Sequence, residues 1–193
     1  MARPARSLCR FSLSAAQGFE SHNSMKARNL AIPVLLTLVG VFVISLIYAA
    51  GELPEHVASH FGFHGQANGW MSKEADLIFM AVIGLGLPLF IIILCYLTRY
   101  LPSWMVNLPH REYWLAPERR SGTAQYLLKH SIWFASLMLA FMTWVHLLVV
   151  SANKQPSPQL STSLLLAGLF LFLIGLGIWA WRLLRHFRFP GQA

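Results

Sequence analysis

The chain has 193 residues, of which 56% are hydrophobic and 11% charged, with a mean hydropathy of +0.54 and a formal net charge of +8. Soluble domains carry roughly a quarter charged residues, so an ordinary water-soluble fold is excluded and one polytopic membrane domain is expected. Cys9 and Cys95 are the only cysteines, too few and too badly placed for a disulfide framework or a CxxC metal or redox motif.

Residues 1–29 form a basic leading segment, rich in Arg and Ser and free of acids until Glu20. That composition superficially resembles a mitochondrial transit peptide. Met25 is the preferred start, because MKARNLAIPVLL makes a compact basic lead into a membrane anchor. Residues 30–50 contain no charge, and about 20 such residues cross a hydrocarbon layer of about 30 Å. This is the first predicted span, with Pro33 in its first turn, where a missing N–H costs least.

Residues 51–76 follow as a polar connection. His56, His60 and His64 stand at i, i+4 and i+8, so a continuous helix would place three imidazoles on one face. With Glu52 and Glu55 nearby, zinc or copper is the alternative reading of this cluster. Gly62, Gly65, Gly69 and the turn QANG argue against it. The helical ladder is expected to break after His60, leaving a compact loop in which His60 and Trp70 make ordinary packing contacts and hydrogen bonds.

Residues 77–97 form the second predicted span, with a kink expected at GLGLP, Gly84 to Pro88. The connection at 98–130 mixes aromatic and charged residues. Pro117 suits the first position of a helix and Glu118 its positive end, so the third helix is expected to begin near Pro117 and continue into the span at 131–150. Glu112 and Glu118, set among arginines, are expected to form ion pairs. His146 falls about one turn below the outer end of that span, either facing the bundle interior with a partner or snorkelling beside Trp144. Were it to meet His60 or His64, it would complete a metal site. A loop at 151–163 leads to the fourth span, 164–184, which ends in an aromatic-then-basic pattern, and a tail at 185–193. Gly84, Gly86, Gly168, Gly175 and Gly177 suit close helix approach.

Thirteen of the fifteen basic residues fall before the first span, around the second connection, or in the last turn of the fourth span and after it, leaving Lys73 and Lys154 on the other side. Both termini are therefore expected in the cytoplasm and the histidine loop outside. The basic excess then meets anionic lipid headgroups, and nucleic acid is excluded as a partner. No nucleophile with its base, HExxH helix or phosphate-cradling loop is present, so no catalytic residue and no cofactor is assigned.

LPEHVASHFGFHGQANGWMSK, residues 53 to 73, resembles the bacterial membrane family called domain of unknown function 1648. Leu53, Pro54, His60, Phe61, Gly65, Gly69, Trp70 and Lys73 carry the pattern. NLPHREYWLAPERR resembles the cytoplasmic loop of many members through Asn107, Pro109, Tyr113, Trp114, Pro117, Glu118, Arg119 and Arg120. His56 and His64 are extra to the pattern, which weakens the metal reading. The same domain stands at the front of SdpI-type immunity proteins. The resemblance implies a multi-pass protein of the bacterial inner membrane, all-α, with four transmembrane helices and a compact extracytoplasmic loop. It further implies a non-enzymatic envelope sensor or immunity-like role, in which the outer loop meets a peptide or toxin and the inner loop meets lipid or a cytosolic partner. A metal-dependent membrane enzyme or transporter using His56, His60, His64 and His146 is the rival.

Overall fold

The computed structural model describes residues 30–188. The expectations about Met25 and residues 1–29, and about the last residues of the tail, lie outside the described residues. Within them, helix α1 (Leu30–Glu52) leads to strands β1 (His56–Phe61) and β2 (Ala67–Ser72). Helix α2 (Lys73–Leu97) and a short α3 (Arg111–Trp114) follow. The fold closes with α4 (Pro117–Asn153) and α5 (Thr162–His186). The four helices α1, α2, α4 and α5 are long and apolar enough to cross a membrane.

The all-α expectation needs one correction. Residues 56–72 form an antiparallel β-hairpin, and no helix runs through His56, His60 and His64. A ladder of backbone bonds and a tight turn at Gly65, whose φ of +79° favours glycine, override the helical spacing of the histidines. The helices also extend past the apolar runs. Ser72 caps α2 by accepting from the Ala75 N–H at 3.2 Å, and Pro117 opens α4 at its first position.

α4 is the centre of the bundle. It supplies many of the buried residues, whereas none of α5 is buried, and it packs against α2 on one side and α5 on the other. Two tryptophans fasten α5 to it, Trp144 Nε1 donating to the Leu164 carbonyl at 3.2 Å and Trp179 Nε1 to the His130 carbonyl at 2.9 Å. Phe141 and Phe172 stack between these ties at 4.8 Å. Large apolar residues of α1, α2 and α5 are exposed over much of their length, the surface expected of helices that face lipid.

The GLGLP kink takes the form of a π turn at Val82–Gly86, just before Pro88. A widened turn absorbs the missing proline donor. Gly84 is buried there because the ring of Phe42 in α1 occupies the space a side chain would need. Phe42 is itself fully buried and meets the His146 ring edge-on at 6.0 Å. Gly168 and Gly175 likewise admit Trp144 and Leu137, but Gly86 and Gly177 face open space.

Candidate functional site

The hairpin is fastened to the helix ends at four places. Asn153, in the last turn of α4, accepts from the Ala58 N–H at 2.7 Å and donates to the Ala58 carbonyl at 2.9 Å. One amide thus satisfies both backbone groups of a buried residue in β1. At the turn, the Gly65 carbonyl accepts from the Leu160 N–H at 2.8 Å and Gln66 bridges to Gln159. Any side chain at Gly65 would strike the Leu160 carbonyl. Where the hairpin enters α2, Lys73 bonds the Leu53 carbonyl at 3.3 Å and pairs with Glu55 at 3.2 Å. Beneath it, Val57 packs with Ala49, Leu53 and Val150, while Phe61 covers Leu148, Val149, Ala152 and Leu160.

These contacts explain most of the sequence pattern. His60 lies opposite Gly69 in the ladder, amid two register shifts, and a Cβ at Gly69 would come within 2.9 Å of the His60 Cβ. His60 Nδ1 bonds the side-chain Oδ1 of Asn68 across the hairpin. The histidine is held by the bulged strand pair itself. Pro54 and Trp70 are exposed, and Phe63 at the tip is 99% exposed beside exposed His64.

The proposed zinc or copper ligands are not gathered. A step of four residues covers roughly 13 Å of extended strand, where a helix would have brought His56 and His60 together. His56, His60 and His64 are exposed, whereas His146 is fully buried and donates from Nε2 to the Ser45 carbonyl at 3.4 Å. Among the described residues no group of three His, Cys, Asp or Glu side chains is placed to hold a metal ion. His146 faces the bundle interior, the first of the two readings open for it.

A buried acid escaped the sequence reading. Asp76, in the first turn of α2, is 1% exposed, and neither carboxylate oxygen has a hydrogen-bond partner. His146 Nδ1 is also enclosed and unpartnered, and no ion pair joins the two residues. Enclosed ionisable groups within a bundle cost stability and mark sites that handle a proton, an ion or a ligand's donor. The signal lay in KEAD directly before an apolar run, where an acid reads as a helix-start residue. Beside them, Lys154 pairs with Glu52 at 2.5 Å and bonds the Tyr48 hydroxyl at 2.9 Å, and Glu52 first and Tyr48 second push its pKa up.

At the opposite end, the expected ion pairs of Glu112 and Glu118 are absent among the described residues. The arginines there engage carbonyls and rings. Arg120 bonds the Thr98 carbonyl at 3.4 Å and the Leu101 carbonyl, capping the end of α2. Arg119 lies 4.0 Å over the Tyr113 ring, and Thr123 donates to the Trp114 carbonyl at 2.8 Å. Between them His110 takes a left-handed conformation (φ 52°), and an open cleft of about 580 Å³ forms beside Asn107, His110, Arg111 and Tyr113. Pro109 lies in this loop, outside the cleft lining.

Residues 36–85 match the family model described as a domain of unknown function (DUF1648). That segment is a domain of this family. The DUF1648 match runs from within α1, through the whole hairpin, to the π turn of α2, and so includes Asp76 and Gly84. It ends before the Asn107 to Arg120 loop, and α4 and α5 lie beyond it. No curated protein and no solved structure matches the chain.

Proposed function

We propose that this membrane protein is a non-enzymatic sensor or immunity-like protein of a bacterial inner membrane. The hairpin faces outward to receive a peptide or toxin, and both termini and the Asn107 to Arg120 loop face the cytoplasm. The observation that carries the reading is the clasp of Asn153 on both backbone groups of Ala58. Through it the hairpin is bonded directly to the end of a helix that continues without interruption to the Trp114 and Arg120 region. The tip, with Phe63 and His64 exposed, is free to meet a partner. The placement of Lys and Arg supports the orientation.

The test has two arms. A reporter fused after Gln66 reads extracytoplasmic; a cytosolic reading overturns the orientation. Deleting the gene alters sensitivity to an envelope-active peptide or the transcription of neighbouring genes, and Phe63→Ala reproduces the deletion at unchanged protein level. A deletion strain indistinguishable from its parent in both assays overturns the sensor role.

A further inference from the structure

We propose that the cavity between the basic ends of α4 and α5 binds the phosphate headgroup of an anionic lipid, with the acyl chains lying along α5. The cavity measures about 750 Å³ and is lined by Lys129, His130 and Trp133 of α4 and by Trp181, Arg182 and Arg185 of α5. A second space of about 730 Å³ shares Tyr126, Lys129 and His186 with it and adds Arg99 and Arg119. No Asp or Glu lines either space. The cations that converge here are not neutralised by any ion pair among the described residues. Such a concentration of positive charge at a helix junction suits a phosphate, which accepts several charge-assisted hydrogen bonds at once.

The walls are built of packed rings. Tyr126 stacks on His186 at 3.5 Å and 12° and lies 4.3 Å from His130. Trp114 adds a further ring 5.3 Å from His186. Trp179 holds the His130 carbonyl, while His130 Nδ1 is enclosed without a partner.

The surroundings select a lipid over a soluble phosphate. Leu171, Ile174, Ile178 and Trp181 are all exposed and recur at helical spacing along one stripe of α5. The stripe ends at Trp181, with the Arg185 guanidinium 5.2 Å over its ring. An apolar track leading into a cluster of cations is complementary to an amphiphile with an anionic head.

The test uses the full chain in phosphatidylcholine nanodiscs with graded phosphatidylglycerol, read by native mass spectrometry after release of bulk lipid. Wild-type protein retains phosphatidylglycerol saturably at about one per chain. Lys129→Gln with Arg185→Gln weakens retention at least ten-fold, Lys129→Arg with Arg185→Lys preserves it, and Lys154→Gln at the other end leaves it unchanged. Equal retention of phosphatidylcholine, or retention that the double Gln variant does not alter, overturns the site. Displacement of the lipid by millimolar inorganic phosphate assigns the cavity to a soluble anion and overturns the lipid assignment. Should the double Gln variant fail to fold, the wild-type titration decides, since non-saturable retention alone rejects a discrete site.

Discussion

The two ends of this bundle satisfy their charges in opposite ways. At the hairpin end the two lysines, Lys73 and Lys154, are each paired with a glutamate, and the strand backbone is bonded to the helices by Asn153 and Leu160. At the other end eight described basic residues form no ion pair, and Arg99, Arg111, Arg119, Arg120 and Arg185 lie against carbonyls or ring faces. The first end meets its lysines and its strand backbone internally, with the Asp76 carboxyl left unpartnered. The second leaves its positive charge without an ion-pair partner among the described residues. The difference teaches where ligands of each sign belong: the hairpin end offers shape and exposed aromatic tips, and the basic end offers charge.

The comparison breaks first at the clasp. Asn153→Leu strands a buried N–H and a buried carbonyl of Ala58, so stability falls by about 3 kcal/mol. Amide exchange rises through β1 and β2 before it rises in α2. Equal exchange throughout would show that the hairpin is held by other means. Next in size is Gly84→Ala, which forces a methyl into the Phe42 ring and costs about 2 kcal/mol. Gly86→Ala, facing open space, raises stability slightly. Denaturant titration of both variants checks the pair, and similar values would mean that Phe42 is not seated against Gly84.

Asp76 gives a smaller effect of opposite sign. Asp76→Asn removes the cost of desolvating or protonating an enclosed carboxyl that no donor meets, and stability at pH 8 rises by about 1 kcal/mol. A loss in thermal unfolding would reveal a donor to that carboxylate. The smallest effect belongs to Lys154→Gln, an exposed pair that salt screens. Its small decrease in Tm disappears at high ionic strength. Because the folded state raises the pKa of Lys154, its contribution is complete below the ordinary lysine value of about 10.4 and is lost only as pH climbs above it. A Tm difference that grows with acid would contradict that sign.

Much of this architecture is legible in the chain because the governing signals are long. Twenty uncharged residues in a row have few alternatives, and proline at position 117 names the start of α4 by its backbone chemistry alone. The hairpin is less legible. HVASHFGFHG satisfies a helical spacing of histidines and a strand–turn pattern at once, and the decision falls to Gly65 and to pairing with residues that come later in the chain. The candidate site is the least visible part. Asn153 stands at the frayed edge of an apolar run, where an amide looks like a helix-end residue, and Asp76 looks like a dipole partner in the first turn of α2. The significance of Asn153 comes from Ala58, which lies 95 positions earlier in the chain and closes on it.

α4 has 37 residues, which at 1.5 Å per residue span roughly 55 Å, nearly twice the hydrocarbon thickness of about 30 Å. From Thr123 to Asn153 it contains neither glycine nor proline, the residues at which helices ordinarily bend. A rigid-body tilt of this helix would therefore have no joint in that stretch at which to be absorbed. Tilting the hairpin by a few degrees swings the far arm, with Trp114 riding on Thr123, through a displacement of several ångströms on the other side.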